Sequence, residues 1–273
     1  MKFAGIIAEY DPFHNGHAWQ LAQAKALGAE RVAGAMSCSL VQRGALPLLP
    51  EAIRTRSALT CGADLVFALP APCACAGAEA FARAGVALLA AAGCDGLVFG
   101  AETPDAALLM EAAELLDSDS YRAALTAQLA GGARGVAAAR PAAAAKRAAD
   151  AEAYPLPRQG ANHGEALHSA HGQFASASAL RKLWAEGGAD AVAPYVPEAV
   201  FPLYQEAYAA GQYTDFSAAG RCELALLRSA CRGKAPFADI RGVSEGLEHR
   251  LEAAVRTSTT YDELLDALTT VRY

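Results

Sequence analysis

The stretch FAGIIAEYDPFHNGHAWQLAQAKALGAE, residues 3–30, passes from one backbone period to another. FAGIIAE is a short apolar run of the kind that forms a buried strand. From His17 onward Trp19, Leu21, Ala22, Ala26 and Leu27 recur at helical spacing until Gly28 closes the run. Between the two lies EYDPFHNGH, with His14 and His17 three residues apart at the handover from strand to helix. At such a β–α connection the amide groups of the first helical turn converge and the helix dipole favours an anion. Imidazole donors beside that point suit phosphate. They can stabilise the added negative charge as an α-phosphorus is attacked, without themselves becoming bonded to it. In this reading Gly16 lets the backbone come close to the ligand and Asn15 supports the turn.

The same alternation continues outward. RVAGAMS, ADLVFALP and CDGLVFGAE are strand-like apolar runs, separated by the helical stretches EAIRTRSALTCG and AEAFARAGVALLAAAG. Continuous apolar strands between helices predict an α/β fold, a doubly wound parallel sheet covered on both faces. In such sheets ligands bind beyond the carboxyl ends of the strands. FGAE ends the fourth strand there, so Gly100 and Glu102 are candidates for the same crevice. AYPLPR is a fifth, proline-limited strand. SASALRKLWAEGG is a helix with serines at its start and glycines at its end, adding Ser176, Ser178 and Arg181 as donors for phosphate oxygens. After Gly188 the pattern is helical, which predicts a nucleotide-binding domain over 1–188 and a small helical C-terminal domain over 189–273.

Composition narrows the function classes. The net charge of −6 argues against non-specific nucleic-acid binding, although Arg122, Arg134, Arg140, Lys146 and Arg147 form one acid-poor stretch and Arg221, Arg228, Arg232 and Lys234 another. The most apolar window, 81–100, is broken by Arg83, Gly93 and Asp95 and falls short of the roughly 18–20 apolar residues of a membrane span. The start MKFAGIIAEYDPF lacks the form of an export signal. Seven cysteines without CxxC pairs suit a reduced, cytoplasmic setting. Cys73 and Cys75 are read as packing, and His163, His168 and His171 lack the partner residues of a metal site, so no protein metal site is expected.

Seven blocks in order, EYDPFHNGH, MSCSLVQRG, ADLVFALP, GAEAFARAGV, DGLVFGAE, SASALRK and GVSEGLEHRLEAA, resemble the bacterial tRNA(Met) cytidine acetate ligase family, a branch of the HIGH-motif nucleotidyltransferase-like superfamily. The resemblance implies an enzyme that uses ATP to activate acetate as acetyl-adenylate and passes the acetyl group to the wobble cytidine of elongator tRNA(Met). It places ATP along Ile7, Ala8, Glu9, Tyr10, Asn15 and Gly16, against Gly100 and Glu102, and near Arg158 of PRQGANH. His14 and His17 become the catalytic pair, with Ser178 and Arg181 on the pyrophosphate. Gln42, Arg43 and Arg54 fall on the substrate side. Mg²⁺ is expected with the nucleotide, since it keeps waters and leans on phosphates.

Two departures stand out. No counterpart of the family's PNNILG-like block is found in the alanine-rich stretch 136–153, and family members continue past the segment matching TTVRY. The reading therefore keeps two alternatives: adenylylation of another small carboxylic acid or phosphate ester, and nucleotide binding without tRNA activity.

Overall fold

The computed structural model describes residues 1–116, 118–119, 121, 123, 152–157, 174–233, 236–238, 240, 243 and 246–269. Five strands, β1 (Phe3–Ala8), β2 (Arg31–Ser37), β3 (Leu65–Leu69), β4 (Gly96–Ala101) and β5 (Glu152–Pro157), form one sheet in the order β3-β2-β1-β4-β5. Every pairing is parallel. The chain thus winds outward from β1 through β2 to β3, then returns to lay β4 on the other side of β1. The strand order reverses between β1 and β4.

Period-two alternation covers both faces. Ala4, Ile6, Val32 and Met36 pack on one side with Leu21 and Ala24 of α1 (Asn15–Ala26) and Ile53 and Ala58 of α2 (Glu51–Thr60). Phe3, Ala33 and Ala35 pack on the other with Ala74 of the short α3 (Ala71–Ala74) and Val86 and Leu89 of α4 (Ala78–Ala91). Helix α5 (Ala106–Leu116) packs beside β5, whose two prolines suit its place at the sheet edge.

Carboxylates pin the amino ends of the strands. Asp95 accepts the Lys2 and Phe3 amides at 2.8 and 3.0 Å, and Asp64 accepts the Val32 amide at 2.7 Å and the Lys25 ammonium at 2.6 Å. The carboxyl ends are less uniform. β1 pairs with β2 along all six residues from Phe3 to Ala8, but with β4 only at Ala4–Gly96 and Gly5–Leu97. Beyond Gly5 the two central strands part.

Helix α6 (Ala177–Val192) runs past the glycines expected to end it. Gly188 takes φ of +67°, breaks the helical path, and the chain re-enters helix for a further turn. A side chain at Gly188 would strike the Tyr208 ring at 2.5 Å, so both its conformation and its lack of a Cβ are needed. Leu180 and Trp184 of α6 and Tyr204 of α7 (Phe201–Ala209) join the same core as β1. The first compact unit consequently runs over Met1–Tyr213, and the boundary expected after Gly188 moves to Tyr213.

The second unit, Thr214–Tyr273, contains α8 (Phe216–Ala230), α9 (Leu247–Thr257) and α10 (Tyr261–Leu268) around Leu224, Phe237, Val255 and Leu264. Three of its arginines close helix ends. Arg256 donates to the Cys231 carbonyl at 2.7 Å, Arg250 to the Ala267 carbonyl at 2.7 Å, and Arg228 to the Val255 carbonyl at 3.4 Å and to that of Ser258. Cations there complement the negative end of each helix dipole.

Candidate active site

The parting of β1 from β4 opens a crevice at the point where strand order reverses, the place where open parallel sheets bind ligands. Gln20 of α1 shows the gap directly. Its Nε2 donates to the Val98 carbonyl at 3.1 Å, a β4 group that has no ladder partner on β1. Gly100 and Glu102 lie exposed at the end of β4, across the gap from the end of β1.

The β1–α1 connection builds the opposite wall. α1 begins at Asn15, two residues earlier than the apolar period suggests, because His14 acts as its N-cap. The Gly16 amide donates to His14 Nδ1 at 3.0 Å, and the His14 amide donates to His17 Nδ1 at 3.3 Å, a reciprocal capping box made of two imidazoles. The rings stack with centroids 3.8 Å apart. Since Nδ1 is the acceptor in each ring, the neutral imidazole carries its proton on Nε2. Both side chains stay partly exposed, yet the packed protein around them disfavours charge. Burial holds His14 down to about 4, and burial together with the neighbouring His14 holds His17 well below the usual histidine range. The pair therefore stands at neutral pH as two uncharged rings, each with one N–H donor left after capping. The first turn of α1 carries no acidic residue.

A Cβ at Gly16 would come within 2.9 Å of the His14 ring, so glycine makes room for the capping imidazole. Asn15 reaches away from the turn, donating to the Pro194 carbonyl at 3.3 Å. Ile7 packs toward α4 and Ala8 toward the opposite core, and both pair with β2 but not with β4. Tyr10, at φ of +49° and 1% exposed, sets its ring edge-on to His17 at 5.0 Å and so backs the imidazole from the core side. Glu9 is half-buried and accepts the Gln42 amide at 2.5 Å; burial raises its pKa and that hydrogen bond opposes the rise.

Arg54 differs most from its expected place on the substrate side. It is 0% exposed and donates to the carbonyls of Leu49 at 3.0 Å, Glu9 at 2.7 Å, Ser37 at 2.9 Å and to that of Cys38. It ties the carboxyl ends of β1 and β2 together under the site. A guanidinium with five donors in one plane can do this where an ammonium cannot.

Sequence reading missed Asp11 and Tyr204. Asp11 is 2% exposed in its side chain and meets Arg181 of α6, whose Nη1 donates to the Asp11 carbonyl at 2.7 Å and lies 3.2 Å from Oδ2. Tyr204 donates to the Phe13 carbonyl at 2.7 Å. The only signal for Asp11 was an acidic residue between Tyr10 and Pro12 in an otherwise apolar turn; Tyr204 lies too far along the chain to leave one. Through Arg181 the start of α6, with Ser176 capping the Ala179 amide at 3.3 Å and Ser178 3.1 Å from Ser176, is held against the histidine turn. His14, His17, Ser178 and Arg181 thus come from segments brought together by the fold, while Arg158 and His163, His168 and His171 lie outside the described residues, as does the side chain of Arg43.

The family described as HIGH Nucleotidyl Transferase matches residues 1–146 and, in a second segment, 135–273. A tRNA(Met) cytidine acetate ligase from Acetivibrio thermocellus is 31% identical over 310 residues, a span covering 100% of this chain and 74% of the relative. One from Levilactobacillus brevis is 32% identical over 295 residues, with the same coverage of 100% and 74%. The chain belongs to the tRNA(Met) cytidine acetate ligase family. Among solved structures, Thermotoga maritima TmcAL bound with alpha-thio ATP superposes with a TM-score of 0.88 at 26% identity, covering 100% of this chain and 72% of that one. The apo form of the same Thermotoga protein gives 0.90. Family membership accounts for the HIGH-type turn and the five-stranded parallel sheet alike. All seven cysteines are free thiols, and among the described residues no helix is long and apolar enough to cross a membrane.

Proposed function

We propose that this protein activates acetate with ATP and transfers the acetyl group to the wobble cytidine of elongator tRNA(Met). A carboxylate oxygen of acetate attacks the α-phosphorus, pyrophosphate leaves, and the acetyl-adenylate carbonyl carbon is then attacked by the exocyclic amine of cytidine, which sheds a proton as AMP departs. The relatives carry the name of this activity, and a solved relative was crystallised with an ATP analogue.

The single observation that carries the reading in this chain is the imidazole capping box. It closes a helix start with neutral imidazole acceptors instead of an acid, leaving each ring an Nε2–H donor, at the crevice where β1 and β4 part. An entering phosphate chain meets the positive end of α1, two Nε2–H donors and the guanidinium of Arg181, with no carboxylate in that first turn to repel it. The donors are fixed before the ligand arrives, so they can bind charge that grows on the phosphorus without reorganising. Mg²⁺ would be carried on the phosphates and water, where it neutralises charge on the nucleotide; among the described residues no group of three or more His, Cys, Asp or Glu side chains is placed to hold a metal.

The decisive measurement is acetate-dependent exchange of pyrophosphate into ATP, followed by acetylation of unmodified tRNA(Met). Exchange with acetate and transfer to tRNA(Met) are expected. Exchange only with another short acid would assign a different substrate, and ATP binding without any exchange would leave a nucleotide-binding protein. In the second unit Arg228 donates to backbone carbonyls and Arg221 to the Ser217 hydroxyl at 2.7 Å, yet both stay exposed, as does Arg232, and would be open to an RNA contact, while Lys234 lies outside the described residues.

A further inference from the structure

Arg181 is held by one end. Nη1 carries both contacts to Asp11, the side chain is 32% exposed, and among the described residues Nε and Nη2 have no protein partner. Asp11 itself is engaged at both oxygens: Oδ1 accepts the Leu48 amide at 2.6 Å while Oδ2 faces the guanidinium. Burial raises the Asp11 pKa and the Arg181 charge opposes the rise, as expected for an anion that depends on its partner. Because the guanidinium is rigid and planar, fixing one terminal nitrogen against two acceptors fixes the direction of the other N–H groups.

We propose that Asp11 is a positioning residue, whose buried carboxylate aims the free Nε–H and Nη2 donors of Arg181 at the phosphate chain of the nucleotide. The proposal rests on the reading of the crevice as a nucleotide site. It follows from acceptor count: the Leu48 amide and Arg181 together need two side-chain acceptors, and a carboxylate supplies both where an amide supplies one. Asp11 also joins three segments, the loop before α2, the β1–α1 turn and α6, so the aim of Arg181 is set relative to His14 and His17 and not to its own helix alone.

The test is a double-mutant cycle in the pyrophosphate-exchange assay on the full chain. Asp11→Ala is expected to raise KM for pyrophosphate about tenfold, with a smaller change in KM for acetate, and to have less than about a twofold effect when Arg181 is already alanine. A residue that only supports the fold would lower Tm and give the same KM rise with and without Arg181, which overturns the proposal, as does an unchanged KM for pyrophosphate. If Asp11→Ala does not fold, Asp11→Asn, which keeps the volume, is put through the same cycle. Should the wild-type protein exchange pyrophosphate with no acid, calorimetric binding of inorganic pyrophosphate reads the same coupling, so the activity and the positioning role fail separately.

Discussion

Two helices among the described residues begin with a reciprocal capping box, and they use opposite chemistry. At α10 Thr260 accepts the Glu263 amide at 3.1 Å while Glu263 accepts the Thr260 amide at 3.4 Å, and Asp262 adds a second acid to the first turn. Those carboxylates answer the positive end of the helix from within the protein. At α1 the same geometry is made by His14 and His17, with no acid in the first turn. There the amides are satisfied, the dipole is not neutralised, and each ring retains a donor. A cap built for stability consumes the anion-binding capacity of a helix start; one built from neutral imidazoles preserves it for a ligand.

The sharpest way to break this comparison is to make α1 resemble α10. His17→Glu keeps an acceptor for the His14 amide but places a charge where phosphate enters. Acetate-dependent exchange is expected to fall by about 100-fold or more, and thermal unfolding is expected to show lower stability as well, because the packing that keeps His17 neutral also disfavours a carboxylate. Retained exchange would mean the crevice does not lie at this helix start. Next in size is the response to acid. His14 is held down to about 4 from a usual 6.5, so the unfolded chain binds a proton that the folded chain resists. The stability from neutral His14 is present above pH 6.5 and is lost as pH falls toward 4, by up to about 3 kcal/mol. Glu9 and Asp11, whose pKa values are raised, bias stability the other way, favouring the folded state at low pH. Comparing denaturant midpoints of wild type and His14→Ser across that window isolates the histidine, and the variant is expected to show the shallower loss. The smallest effect belongs to the other cap: Thr260→Ala should lower stability by about 1 kcal/mol and leave exchange kinetics unchanged.

Much of the first unit is legible in local pattern. The apolar runs mark all five strands, and the strand-to-helix handover at residues 9–17 marks the site, because period and punctuation are properties of neighbouring residues. Side-chain roles are less so. An arginine in α2 and an arginine in α6 look alike in sequence, yet Arg54 is enclosed by four carbonyls and Arg181 leaves donors free. Arg228, one of the acid-poor set that could meet RNA, donates to a carbonyl at a helix end, as do Arg250 and Arg256. The partners in each case are carbonyls from other elements, and a carbonyl carries no sequence signature. The domain boundary moved for a related reason: glycines at 187 and 188 signal a helix end, whereas Gly188 serves the approach of Tyr208.

The amino-acid sequence by itself determined a parallel α/β sheet and a paired-histidine turn at its first crossover, since both follow from apolar periodicity and the conformational limits of adjacent residues. Only the tertiary structure decided that β4 returns beside β1 and then diverges from it, that the two imidazoles cap the helix and each other, and that Asp11 reaches Arg181 on α6. Those outcomes depend on distances between remote backbone groups, which come into existence only when the layers pack.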